Sequence, residues 1–211
     1  MHAVFERIGA LKLVPVIVIE RAEDAELLGD ALLAGGLPVA EVTLRTDAGY
    51  EAIRRLRRIP EMLVGAGTVL TAAQAAEARG AGAQFIVSPG LSEEVVGYCQ
   101  RESIPVLPGV ATPTEIQRAL ALGAKVLKFF PAETLGGVAA LKAISAPFRE
   151  VMFVPTGGIT AENMGPYVAL KNVLAVGGSW MVKSDLMRAG QFDAIRELVS
   201  DAVQLMRVLQ V

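Results

Sequence analysis

Three sets of residues, far apart in the chain, have types and spacings suited to chemistry. The first lies in VAEVTLRT (residues 39–46), where strand periodicity puts Glu41, Thr43 and Arg45 on one face and Val42 and Leu44 on the other. A carboxylate in so apolar a run must face a wet cavity or have a partner, because its desolvation is otherwise costly, and Arg45 is a candidate partner. The second lies in AKVLKFFPAET (residues 124–134), where Lys128 is hemmed in by Leu127, Phe129 and Phe130 while Lys125 flanks the run. Desolvation favours a free amine, the form that adds to a carbonyl to make a Schiff base, with Glu41 as the proton shuttle. The bland alternative is a core salt bridge between the two. The third set is a double glycine pair, Gly157-Gly158 in VPTGGITAEN and Gly177-Gly178 in VGGSWMV, each followed by a hydroxyl residue, Thr160 or Ser179, and expected to lead into a helix N-terminus. Bare amides of this kind bind anions, a phosphate above all; simple tight turns are the alternative.

These residues need a scaffold that brings strand ends together. Short apolar runs recur at about Leu13–Ile19, Val39–Leu44, Met62–Val64, Gln84–Val87, Ile104–Leu107, Lys125–Phe130, Met152–Val154 and Val173–Val176. Helix-like intervals separate most of them, including 22–34 and 48–58, whose apolar residues fall at three-to-four spacing. Eight strand-then-helix units spell a closed (β/α)8 TIM barrel with an N-terminal helix, with a doubly wound open sheet as the alternative. Over 211 residues the barrel must be compact, since this architecture typically takes about 250. Glycine at 34–36, 80–82 and 123 closes successive units, which reads as one repeating domain over residues 1–211 without a linker. A final helix is expected over about 185–209, with Phe192, Ile195, Val199, Val203 and Met206 on its inner face. In such a barrel, polar residues at strand ends form the active site, and the phosphate site lies after the last two strands. Thr68 in GAGTVL and the SPG turn at 88–90 are two further strand ends facing the mouth.

Composition narrows the function. The 22 acidic and 20 basic side chains nearly cancel, so binding to nucleic acid through net charge is not expected. Arg54, Arg55, Arg57 and Arg58 read as a solvated helix end rather than a basic patch. With Cys99 the single cysteine and His2 the single histidine, the latter in an N-terminal segment expected to fray, disulfide and zinc chemistry have few ligands. No apolar run nears the roughly 18 residues of a membrane span, and charge rather than a cleavage site follows the first run, so a cytoplasmic protein is expected.

The runs PVIVIE (15–20), EVTLRT (41–46), GAGTVL (65–70), SPG (88–90), PGVATPTE (108–115), KFFPAE (128–133), PTGGIT (155–160) and GGSW (177–180) together resemble the bacterial 2-keto-3-deoxy-6-phosphogluconate (KDPG) aldolase family, whose members often also cleave 4-hydroxy-2-oxoglutarate (KHG). The likeness runs along nearly the whole chain. It implies a class I aldolase of the Entner-Doudoroff pathway, a homotrimer, forming pyruvate and glyceraldehyde 3-phosphate with no metal and no cofactor. By this resemblance Lys128 is the Schiff-base lysine and Glu41 the general acid/base acting through a water. Arg45 and Thr68 hold the pyruvate carboxylate, Gly157, Gly158 and Ser179 bind phosphate, and Pro89 and Phe130 wall the pocket. Some relatives end the first strand in arginine where this chain has Ile19 and Glu20. Aldolases preferring KHG or the galactonate-derived epimer are the nearest alternatives. A phosphate-binding isomerase or synthase, or a sugar-phosphate-binding module, would not need Glu41 and Lys128 together.

Overall fold

The computed structural model describes residues 2–210. A leading helix α1 (Ala3–Leu11) is followed by β1 (Leu13–Ile17), α2 (Asp24–Ala34), β2 (Val39–Thr43), α3 (Gly49–Leu56), β3 (Leu63–Gly67), α4 (Ala72–Gly80), β4 (Phe85–Val87) and α5 (Glu93–Arg101). Then come β5 (Val106–Leu107), β6 (Gly109–Val110), α6 (Pro113–Ala121), β7 (Val126–Phe129), α7 (Gly137–Ser145), β8 (Met152–Pro155), α8 (Gly165–Val168), β9 (Val176–Gly178), α9 (Ser184–Arg188) and α10 (Phe192–Leu209). All strand pairs are parallel, in the orders β5-β4-β3-β2-β1-β9 and β6-β7-β8.

Two seams join these sheets into a closed barrel. Between β5 and β6 stands only Pro108, which has no N–H to give a ladder but whose carbonyl still accepts from the Lys128 amide at 3.0 Å. The two pieces are therefore one barrel strand, broken where a single expected run ended at Leu107. On the other side, β8 meets the β9 segment through the parallel bridges Phe153↔Val173 and Thr156↔Gly177. The last strand thus lies at Val176–Gly178, later than its expected span. The (β/α)8 barrel with an N-terminal helix is the observed fold.

Strand burial explains the sequence pattern. Inner and outer faces are both covered, so β1, β2 and β3 are buried at every position. The buried apolar residues form one cluster reaching from Ile8 to Met206. Thr71 and Thr112 start α4 and α6 with full capping boxes, each exchanging hydrogen bonds with Gln74 or Glu115 three residues on.

Three units close alike. Gly36, Gly82 and Gly123 have φ of 85°, 101° and 78°, and each following amide reaches back to the helix carbonyl five residues earlier. After α5 the same bonds form around Ser103, at φ 55°, which carries a Cβ in the left-handed region. Replacing Ser103 with glycine is expected to raise stability by about 0.5–1 kcal/mol, read as a higher urea midpoint at constant slope.

Two local expectations are corrected. The N-terminus does not fray at His2, whose Nδ1 accepts from the Val4 amide and caps α1. The final helix is two helices, because the chain turns at Gly190, φ 68°, between α9 and α10. Within α10 the buried residues are Ile195, Val199, Ala202 and Met206, with Val199 lodged against Gly35 at the end of α2. The arginine run is a solvated helix end, as expected, with Arg54 and Arg55 pairing with Glu51 and Arg55 and Arg58 reaching Glu26 on α2. No helix among the described residues is long and apolar enough to cross a membrane.

Candidate active site

Glu41 sits in the middle of β2, level with Val16 on β1 and Gly65 on β3. Lys128 occupies the corresponding depth of β7, level with Gly109 and Val154. Across the barrel interior Lys128 Nζ stands 3.2 Å from Glu41 Oε1, and the two side chains are only 6% and 4% exposed. This answers the question of which partner holds the buried carboxylate. It is Lys128, not Arg45, which is exposed beyond the end of β2 and donates from Nε to Thr68 Oγ1 at 3.3 Å. The Lys128 ammonium position lies 5.1 Å from the centroid of the Phe130 ring, whose face further stabilises positive charge on that nitrogen.

Glycine makes this geometry possible. A Cβ on Gly67 would fall 2.4 Å from Glu41 Oε1, so only glycine leaves the carboxylate its place. Gly67→Ala is expected to lower kcat by about 10²-fold through displacement of that carboxylate, with the barrel retained in circular dichroism. Steady-state kinetics on the purified variant check it. Gly177 does the same for Thr156, whose Oγ1 would lie 2.4 Å from an added Cβ, and Gly178 leaves space for the Trp180 ring.

Above the pair opens a cavity of about 600 Å³. Of the residues expected in the site, Arg45, Phe130, Gly157, Gly158 and Ser179 line it. Lys128 and Glu41 are not in its lining; they adjoin it through Phe130, whose ring lies 5.1 Å from Lys128 Nζ, and through Val16, level with Glu41, both of which line it. Thr68 meets the cavity only through its hydrogen bond with Arg45, and it holds a positive φ of 59° to do so. Pro89 is outside the lining. Its turn is pressed against β6, where a Cβ on Gly109 would fall 2.1 Å from the Pro89 carbonyl oxygen.

The glycine loop after β8 is built for a fixed shape. Gly157 and Gly158 have φ of 102° and 77°; Asn163 accepts from the Thr160 amide and donates to the Gly158 carbonyl. From the β7 side, the Ala132 and Glu133 amides donate to the Thr156 and Gly157 carbonyls. Glu133 is held by the hydroxyl of buried Tyr167, whose phenol is pushed well above its usual range by burial and by that carboxylate. The expected helix N-termini do not follow directly. Helices begin only at Gly165 and Ser184 and are short, so the two glycine loops lining the cavity are shaped by loop backbone and not by helix starts.

Sequence reading missed Thr156, Trp180 and Lys183, which also line the cavity. Thr156 had a signal, since it lies two residues beyond Val154, the residue level with Lys128. Trp180 and Lys183 sit in an irregular loop where no periodicity assigns a direction. Cys99 is enclosed in α5, where burial pushes its thiol up to about 11, so it is a poor nucleophile. Among the described residues no group of three or more His, Cys, Asp or Glu side chains is placed to hold a metal ion.

The arrangement is an amine touching a carboxylate beside a cavity lined by an arginine and by two glycine loops. It can form an imine with a keto acid and move a proton beside it. Residues 4–198 match the family described as KDPG and KHG aldolase. The 2-dehydro-3-deoxy-phosphogluconate aldolase of Treponema pallidum is 47% identical over 210 residues, 99% of this chain and 100% of that protein. The KHG/KDPG aldolase of Escherichia coli K12 is 49% identical over 192 residues, covering 90% of each. The crystal structure of the KDPG aldolase from Legionella pneumophila, with pyruvate captured as a covalent carbinolamine, superposes with a TM-score of 0.91 at 42% identity, covering 94% of this chain and 97% of that one.

Proposed function

Since this chain belongs to the KDPG and KHG aldolase family, we propose that it cleaves 2-dehydro-3-deoxy-6-phosphogluconate to pyruvate and D-glyceraldehyde 3-phosphate through a Schiff base on Lys128. It is a carbon-carbon lyase of class I. The observation that carries the assignment is the buried contact of 3.2 Å between Lys128 Nζ and Glu41 Oε1, which supports an amine and a proton carrier working on one substrate.

The steps follow from charge. Glu41 takes a proton from the Lys128 ammonium, the freed amine adds to the C2 ketone, and that proton passes to the carbinolamine hydroxyl, which leaves as water to give an iminium ion and a carboxylate again. Glu41 takes the proton of the C4 hydroxyl, directly or through a water. As the C4 oxygen forms its carbonyl, the C3–C4 bonding pair moves into the iminium, which becomes an enamine, and the aldehyde departs. The enamine regains a proton at C3, and water then hydrolyses the iminium to release pyruvate and the free amine. Arg45, steadied by Thr68, holds the C1 carboxylate, Gly157, Gly158 and Ser179 the phosphate, and Phe130 confines the chain between them, whereas Pro89, outside the lining, takes no part. Binding energy at the phosphate orients a bond it never touches.

The whole chain acts as one aldolase domain, assembles as a homotrimer and works in the cytoplasm. Activity on 4-hydroxy-2-oxoglutarate, giving pyruvate and glyoxylate, uses the same imine apparatus. Pyruvate release from this substrate, from the gluconate-derived substrate and from its galactonate-derived epimer ranks the three. The gluconate-derived phosphate ester should give the highest kcat/KM; a higher value for either of the others would overturn the assigned preference.

A further inference from the structure

We propose that Lys183 is a specificity residue that binds the substrate phosphate and sets the preference for phosphorylated over unphosphorylated keto acids; this rests on the aldolase reading above. The cavity over Lys128 is lined by two cationic side chains, Arg45 and Lys183, and by no carboxylate. A substrate with a carboxylate at one end and a phosphate at the other has the same charge pattern. Arg45 extends beyond β2 and Lys183 beyond β9, with β1 between these strands, so the two hang from supports about 10 Å apart. Arg45 is tied to Thr68 at its end. Ser179 and Lys183 follow β9, and Gly157 and Gly158 follow the adjacent β8, bridged to it at Thr156↔Gly177.

Those three residues offer amides and a hydroxyl, all neutral. A phosphate dianion held by neutral donors alone keeps much of its charge uncompensated, and a flexible ammonium is a suitable point charge to meet it. Lys183 is available for that task. It is exposed and, among the described residues, makes no ion pair and no side-chain hydrogen bond. Its backbone is nonetheless fixed: the Val182 amide donates to the Ser179 carbonyl, and the Ser184 hydroxyl donates to the Val18 carbonyl just beyond β1 at 3.3 Å. A fixed root and a free tip let the ammonium reach a phosphate at the glycine loops without being locked in place.

The test compares the phosphorylated substrate with 2-keto-3-deoxygluconate, the same carbon chain without phosphate, for wild type, Lys183→Met and Lys183→Arg. In Lys183→Met, KM for the phosphate ester should rise about tenfold, with kcat and the values for the unphosphorylated compound changing less than about twofold. Lys183→Arg should bring that KM back to within about threefold of wild type, since it restores the charge. A KM for the phosphate ester that stays within about twofold in Lys183→Met would overturn the proposal, as would an equal loss on both substrates. The wild-type protein tells the two levels of failure apart: if it cleaved neither compound, the aldolase reading would fall and this assignment with it.

Discussion

Changing Lys128 to alanine should lower kcat by about 10⁴-fold or more, because the step lost is formation of the covalent intermediate and no neighbouring group can replace it. Arg45 cannot give up a proton to become a nucleophile, and Cys99 is buried with its thiol pushed up to about 11. The same substitution leaves Glu41, 4% exposed, without its partner. Breaking a buried ion pair from one side typically costs about 3–5 kcal/mol, so loss of activity alone would not separate catalysis from folding. A second variant does. Lys128→Met combined with Glu41→Leu replaces both charges with apolar groups of similar size and should recover most of the stability while recovering none of the activity. Turnover near the wild-type rate in either variant would remove the imine from the reaction.

Glu41→Gln should reduce kcat by about 10²–10⁴-fold, the usual contribution of a positioned acid-base group. Glutamine keeps the shape and can still accept from Lys128 Nζ, so the barrel should remain folded, but it cannot take the C4 hydroxyl proton. Lys128 keeps its amine, and given time this variant should still accumulate a reduced pyruvate adduct. Exchange of the pyruvate methyl protons in deuterium oxide, which reports the enamine, should be slowed with cleavage if the same carboxylate returns the C3 proton. Cleavage by Glu41→Gln at near the wild-type rate would leave Glu41 as a structural counterion only.

The sequence made the scaffold and the reacting pair legible for a physical reason. Parallel strands buried on both faces must be short apolar runs, and a Glu or Lys inside such a run is conspicuous because its desolvation needs an explanation. What it left open was which cation, Arg45 or Lys128, meets Glu41. Arg45 is close to Glu41 in sequence, yet Lys128, 87 positions away, is its partner, because closure of the barrel brings β7 across from β2. The expected fifth run stopped at Leu107, because apolar character gives no sign that the strand resumes beyond Pro108 as β6. The glycine pairs marked two loops of the cavity, but Trp180 and Lys183 lie in loop backbone with no repeating direction. Gly67 was visible only as part of a motif; its purpose, room for a carboxylate from the adjacent strand, requires the register of β2 with β3.

The central claim is that Lys128 bonds covalently to the keto acid, and intact-mass measurement after mixing the protein with pyruvate and borohydride tests it most directly. The account predicts one increment per chain, equal to pyruvate less water plus two hydrogens, mapping to the peptide that carries Lys128 and absent from Lys128→Ala. No increment on folded protein with active reagent, or an increment on another residue, would make Lys128 and Glu41 a structural ion pair and contradict the mechanism.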